Sequence, residues 1–239
     1  MVWEAEREWD AGILSLNKEE HARIYLQMTV KEAARMRITW IFDNFTNVVV
    51  SVSGGKDSTV LFDLVYKEAQ RRSRYIKAFF LDQEVEYKST IEVMRDIMYR
   101  PLVEQLWYQC PIRMTNATSY KQRFLNAWGE GEQWMREKEP GSIHVNHLGA
   151  DRFYSFIQAV EAQFSTDTAI LVGLRTEESL NRYRAMIKNP AIEGISWSSK
   201  TKNGAVKLYP LYDFAFEDIW TYIAREHLVY NKIYDFIFL

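Results

Sequence analysis

The 239-residue chain contains one cysteine, Cys110, five prolines and ten glycines. A single thiol excludes an intrachain disulfide framework, a CxxC redox pair, a cysteine-based zinc site and a four-cysteine iron–sulfur cluster. Glycine and proline stand at roughly 4% and 2%, below the usual ~7% and ~5%, which argues against a linker-rich or disordered chain. No apolar run approaches the ~20 residues a membrane span needs. The N-terminal Met1-Val-Trp-Glu-Ala-Glu-Arg7 is charged where a signal peptide would place its apolar stretch, so a cytoplasmic protein is expected. Thirty basic against 32 acidic side chains leave a net charge of −2, so no global field draws the chain towards nucleic acid. What is plentiful is aromatic: 15% of residues, including eight Trp, enough apolar mass for a substantial core.

Hydrophobic spacing divides the chain into an N-terminal helical segment, residues 1–45, and an α/β domain, residues 46–239. A capping box at Asn17 and Glu20 opens a short helix, and a second at Thr29-Val-Lys-Glu32 opens a longer one. Val48-Val-Val-Ser-Val52 has the β-branched character of a strand covered on both faces. Helix and strand then alternate: Val60, Leu61, Leu64 and Val65 face inward on a helix, with Asp63, Lys67 and Glu68 outward. Tyr75–Leu81 is a strand, Ser89 to Glu92 caps a helix, and Val103–Tyr108 is a third strand. That order predicts a doubly wound, mostly parallel sheet. Residues 111–150 are polar, aromatic and irregular, too long for a simple connection, and read as an insertion over one edge of the sheet. Asp151 opens a helix, Ala169–Gly173 is a fourth strand, and Ile195–Ser198 with Ala205–Leu208 forms a hairpin. Phe216, Ile219, Trp220 and Ile223 are the buried face of a last helix.

The chemistry concentrates in Ser53-Gly-Gly-Lys-Asp-Ser58, between a buried strand and an amphipathic helix. Two glycines allow positive φ and close approach of a ligand to the backbone. The loop amides and the helix N-terminus converge on an anion, Ser53 and Ser58 add hydroxyls, and Lys56 adds charge. Asp57 beside a phosphate makes sense as a metal ligand. The loop is not a Walker A motif: Val50 stands where that motif needs glycine, and Asp57 where it needs Ser or Thr.

The string Ser53–Ser58 resembles the pyrophosphate loop of the adenine-nucleotide α-hydrolase-like superfamily, which includes ATP pyrophosphatases, the small subunit of ATP sulfurylase and PAPS (phosphoadenosine phosphosulfate) reductases. Phe80-Leu-Asp-Gln83 is similar to the nucleotide-pocket segment of the sulfurylase and reductase branch. Gly173-Leu-Arg-Thr-Glu-Glu-Ser179 with Arg182 looks like its arginine-bearing stretch, and Tyr209-Pro-Leu211 with Asp218-Ile-Trp220 and Tyr222-Ile223 like its last segment. Further resemblance is to PAPS-reductase-like proteins of the IbrA type, carried by Trp107-Tyr with Thr115–Thr118, Ser142-Ile-His144 with Asp151–Tyr154, and Tyr230–Asp235. Those proteins are often phage- or island-borne, act beside a ParB-like partner and are usually longer at the C-terminus.

The resemblance implies a Rossmann-like fold and an adenine nucleotide, ATP or PAPS, bound by Ser53, Gly54, Gly55, Lys56, Asp57, Ser58, Asp82, Gly173 and Arg175. Asp57, Asp82 and Glu84 are the Mg²⁺ candidates, and Lys56, Asp57, Arg175 and Arg182 the catalytic ones. For Glu84 and Glu86, a helix N-terminus that favours carboxylates is an equal reading. PAPS reductases attack with a cysteine in a C-terminal tail. That tail is not found here, and Cys110 reads as a buried small hydrophobe. Three functions follow as expectations: cleavage of ATP to AMP and pyrophosphate to adenylate an acceptor, sulfonucleotide-dependent sulfur transfer, or nucleotide-gated partnership with a ParB-like protein. Direct nucleic-acid binding is not expected, and self-association stays open. His144, His147 and Asp151 are too loosely spaced for a metal set. The Trp and Tyr residues of 107–134 read as core and lid packing, and Arg71-Arg-Ser-Arg74 as cations favoured at a helix end.

Overall fold

The computed structural model describes residues 27–178 and 190–237. The helix expected at Asn17 lies outside them. Helix α1 (Val30–Asn44) begins at the second capping box: Glu32 N–H donates to Thr29 Oγ1 at 3.2 Å, and Thr29 N–H donates to Glu32 Oε2 at 2.8 Å. Two otherwise orphan amides are thereby satisfied. Strand β1 (Asn47–Ser51) follows with Val48, Val49 and Val50 all buried. Helix α2 (Lys56–Arg72), β2 (Ile76–Leu81), α3 (Lys88–Met98) and β3 (Val103–Tyr108) continue the alternation. Helix α3 departs from expectation at its start. Its N-cap, Tyr87, makes no side-chain bond, and Ser89 Oγ instead donates to Asn231 Oδ1 at 2.5 Å.

The insertion carries a short antiparallel hairpin, β4 (Ile112–Thr115) and β5 (Phe124–Ala127), which the irregular sequence did not announce. Helix α4 (Phe153–Glu161) begins two residues later than expected. Asp151 is not its cap, because its carboxylate pairs with Arg113 at 2.5 Å and its carbonyl accepts Arg113 N–H at 2.6 Å. Strand β6 (Thr168–Val172) precedes a 3-10 turn at Thr176–Glu178. Strands β7 (Ser198–Lys200) and β8 (Val206–Leu208) form the expected hairpin with a shifted first arm. Ile195 is taken up in a turn instead, its N–H on Ile192 O at 3.1 Å, with Gly194 at φ 78°. Helices α5 (Phe216–Arg225) and α6 (Tyr234–Ile237) complete the described chain.

The main sheet runs β3-β2-β1-β6-β8-β7; all neighbours are parallel except β7, which is antiparallel to β8. Chain order steps outward from β1 to β3 and then resumes on the other side of β1 with β6. The strand order therefore reverses between β1 and β6, the position at which open α/β sheets form a crevice beyond their carboxyl ends. One face of the sheet packs Val48, Val50, Phe80 and Leu171 against α1, α2, α3 and α5. The other packs Val49, Phe79, Leu81 and Ile170 against α4 and the insertion. The alternation along β1 is the period of two that a strand imposes. Ile219 and Ile223 of α5 are buried as expected, while Phe216 and Trp220 are half-buried.

Helices α1, α2 and α5 are also joined by charge. Asp63, expected to face outward, is buried: Tyr222 Oη donates to it at 2.8 Å and Lys67 Nζ lies 2.7 Å away. Lys67 also contacts Glu226 at 2.7 Å, and Lys31 reaches the same carboxylate. Lys31 first and then Lys67 hold the Glu226 carboxyl down at about 2, against an ordinary 4.5. A depressed carboxyl stabilises the fold above its unfolded pKa, and that contribution fades as pH falls from near 4.5 towards 2. Glu226→Gln is therefore expected to cost stability near neutral pH and progressively less in acid. Urea unfolding at about pH 6 and about pH 3 measures this; an equal gap at both would refute the assignment.

Candidate nucleotide site

Strand β1 delivers the loop Ser53–Ser58 to the crevice. Gly54 sits at φ 69°, and a Cβ there would lie 2.7 Å from Thr90 Cγ2, so both backbone and space demand glycine. The serines brace the loop from within. Ser58 Oγ donates to Gly55 O at 3.0 Å, accepts Ser53 N–H at 3.2 Å and lies 3.1 Å from Ser53 Oγ. The helical ladder of α2 starts with Thr59 N–H on Gly55 O, and the N-cap Gly55 offers no side chain. The amides of Lys56, Asp57 and Ser58 consequently have no acceptor within the helix. Lys56 N–H has a long 3.4 Å bond to Tyr234 Oη. This is the open, positive end of a helix, ready for an anion.

Lys56 Nζ donates to Asp57 Oδ2 at 2.8 Å and lies 5.6 Å from the ring centres of both Phe216 and Tyr234. Strand β6 brings the opposite wall. Gly173 packs so closely that a Cβ would meet Ser58 N at 3.0 Å and Asp57 C and O at 3.1 Å. Arg175, 3% exposed, donates from Nε to Asp57 Oδ1 at 2.5 Å and from Nη1 to Glu177 Oε2 at 2.8 Å and Phe214 O at 3.4 Å. Its guanidinium therefore anchors Asp57 rather than standing free as a fork for an oxyanion. The structure brings Ser53 to Ser58, Gly173 and Arg175 together at the β1/β6 reversal. Arg182 and Ser179 lie outside the described residues.

Asp82 and Glu84 belong to a different arrangement. Asp82 is fully buried; Trp107 Nε1, Gln109 Nε2 and Glu84 N–H donate to its carboxylate at 2.8 to 2.9 Å, and Arg136 Nη2 contacts both oxygens at 2.5 Å. Glu84, at φ 68°, accepts Trp128 N–H at 2.5 Å and Met135 N–H at 2.9 Å. Both carboxylates thus fasten the insertion. Their lone pairs are taken by protein donors, which is why the expected Asp57, Asp82 and Glu84 metal set does not assemble. No group of acidic, His and Cys residues suited to a metal occurs among the described residues. Glu86, beside them, is driven towards its neutral form, first by burial and then by the charge of Asp82. Arg136, the principal partner of Asp82, went unread in the sequence. No periodicity marks it, and the only available signal was that a buried carboxylate requires a cation.

Cys110 is fully buried, and loss of solvent pushes its thiol up to about 11. A thiolate is the nucleophilic form, so this sulfur is inert in the folded protein. No helix among the described residues is long and apolar enough to cross a membrane.

The sequence pattern of the phosphoadenosine phosphosulfate reductase domain matches residues 47–238. The chain is 28% identical over 230 residues to the uncharacterized protein YbdN of Escherichia coli, covering 90% of this chain and 57% of that one. The chain thus spans little more than half of that relative. It is 26% identical to an adenosine 5'-phosphosulfate reductase of Lysinibacillus sphaericus, over 83% of this chain and 72% of the relative. The phosphate complex of phosphoadenylyl-sulfate reductase from Candida auris shares its fold, with a TM-score of 0.50 at 15% identity, covering 90% of this chain and 94% of that one.

Two outcomes test the site as described. Glu84→Ala strips the acceptors from two backbone amides, at a cost of about 1–3 kcal/mol. Hydrogen exchange is expected to quicken at residues 128–135 while the laddered amides of α2 from Thr59 onward keep their protection; uniform exchange across both would contradict the fastening role. A thiol-specific chromogenic disulfide is expected to leave Cys110 unmodified at neutral pH until denaturant is added. Rapid labelling of the native protein would overturn its assignment as inert.

Proposed function

The chain belongs to the phosphoadenosine phosphosulfate reductase domain family, and from that premise we propose that its crevice binds ATP with Mg²⁺ and cleaves it between the α and β phosphates to adenylate an acceptor. One observation carries the reading: the amides of Lys56–Ser58, which have no acceptor within the helix, stand with the Lys56 ammonium at the reversal between β1 and β6, and only a long 3.4 Å bond to Tyr234 Oη engages the first of them. These donors suit the charge that develops on a departing pyrophosphate, and they need no rearrangement as that charge grows. Arg175 keeps the Asp57 carboxylate oriented. Asp57 is the carboxylate that fits a Mg²⁺ carried in on nucleotide phosphates, since such ions commonly take one or two protein carboxylates and complete their shell with phosphate and water. Bound there, the ion would neutralise phosphate charge. Lys56, which donates to Asp57 Oδ2, would be released towards the phosphates.

The buried thiol favours ATP over reductive use of a sulfonucleotide. Cys110 is the sole cysteine of the 239 residues, so the thiolate that sulfonucleotide reduction requires would have to come from outside them. The relative named adenosine 5'-phosphosulfate reductase favours the second reading, in which a sulfonucleotide occupies the same cradle for sulfur transfer.

Titration calorimetry with ATP, adenosine phosphosulfate and PAPS, each with and without Mg²⁺, separates the two. ATP with Mg²⁺ is expected to bind tightest and to release pyrophosphate from labelled substrate. Lys56→Ala is expected to weaken binding by roughly ten- to a hundred-fold, the loss of one charge-assisted contact. Tighter binding of PAPS together with no pyrophosphate would reject ATP cleavage.

A further inference from the structure

The hairpin β4–β5 and the start of α4 carry a surface that the nucleotide site does not use. Arg113 on β4 forms a bridge with Arg152, and both guanidinium groups lie over the ring of Phe124, at 5.3 and 5.2 Å from its centre. Like charges held side by side repel, and one carboxylate, Asp151, answers the pair through Arg113. Beyond them the hairpin loop exposes Lys121 and Arg123. Among the described residues, Lys121, Arg123 and Arg152 have no acidic partner. Residues 112–127 contain three cations and no carboxylate. Two aromatic rings stand in solvent beside these charges: Tyr120 is 104% exposed at the tip, and Tyr154 is 79% exposed next to Arg152.

The chain's other basic run shows how different this is. Arg71 and Arg72 close on Glu68, and Arg74 donates to the carbonyls of Phe42, Phe45 and Thr46. Those cations are engaged by the fold, whereas Lys121, Arg123 and Arg152 are exposed and, among the described residues, have no acidic partner; Arg113 alone of the group is paired, with Asp151. Exposed rings alternating with unanswered cations match a flexible polyanion that offers planar groups for stacking. They do not match a lipid surface, which would ask for a broader apolar face than the half-exposed Leu125 provides.

We propose that the β4–β5 hairpin, with Arg152 and Tyr154, binds a single-stranded nucleic acid, with Arg113, Lys121, Arg123 and Arg152 on backbone phosphates and Tyr120 and Tyr154 stacking on bases. The hairpin leaves the carboxyl end of β3, the sheet end that also bears the phosphate loop. β3 is two strands from β1, about 10 Å of sheet width. A strand on the hairpin is thus held at the rim of the nucleotide crevice. The inference does not depend on which nucleotide that crevice takes.

Fluorescence anisotropy with labelled single-stranded RNA and single-stranded DNA of mixed sequence, run over a range of salt, tests this. Binding at low salt to one or both is expected. Lys121→Glu with Arg123→Glu should weaken it at least ten-fold and reduce the slope of log affinity against log salt by about 1.4, the value for two phosphate contacts on a single strand. Tyr120→Ala should weaken binding with the slope unchanged. Lys56→Ala should leave it intact, which keeps this result separate from the fate of the ATP reading. Absence of binding at low salt, binding indifferent to the charge reversals, or equal displacement by poly-glutamate would each overturn the proposal, the last in favour of an acidic protein partner.

Discussion

The ion pair between Arg175 and Asp57 joins the two halves of the molecule where it matters. One partner follows β6 and the other opens α2, 118 residues apart in sequence, and both are buried. A carboxylate removed from water needs donors on its oxygens, and a guanidinium needs acceptors. Each satisfies the other and so sets the separation of the loops that flank the strand-order reversal. Gly173 permits that separation, because any side chain there would press on the backbone of Asp57 and Ser58. The open amides of α2 are thus aimed by a contact that no ligand makes.

Much of this was legible in the amino-acid order. The valine run of β1, the Thr29–Glu32 box and the alternation through β3 are local signals, and local signals specify local structure. The glycine-bearing turn Ser53–Ser58 was legible for the same reason, since its six residues are contiguous and flanked by a strand and a helix. What the sequence hid was long-range. Asp82 reads from its neighbours as a pocket residue, yet its donors come from Trp107, Gln109 and Arg136, 25 to 54 positions away. Arg175 reads as a free cation until Asp57 is placed beside it. In each case a polar side chain was assigned outward to a ligand, and burial turned it inward to the protein.

The insertion shows what that burial achieves. Residues with no regular pattern are fixed by two carboxylates, Asp82 and Glu84. Glu84 and its partner Trp128 both hold left-handed backbone conformations, which residues with a Cβ adopt at a cost. Donor, acceptor and strain lie in one contact. The hairpin β4–β5 is carried outward from this anchor, so its exposed charges and rings project from a fixed base.

One detail of that anchoring extends beyond the single chain. Strand β3 forms one margin of the sheet, and along its outer side Ile143 N–H donates to Trp107 O at 2.7 Å while Gln109 N–H donates to Ile143 O at 2.9 Å. An unpaired margin invites strands from neighbouring molecules to add to it. Pinned across the carboxyl end of β3, the insertion takes up backbone groups that would otherwise template such growth. Loosening it would therefore be felt first as a tendency of many copies to stick together, before any one copy unfolds.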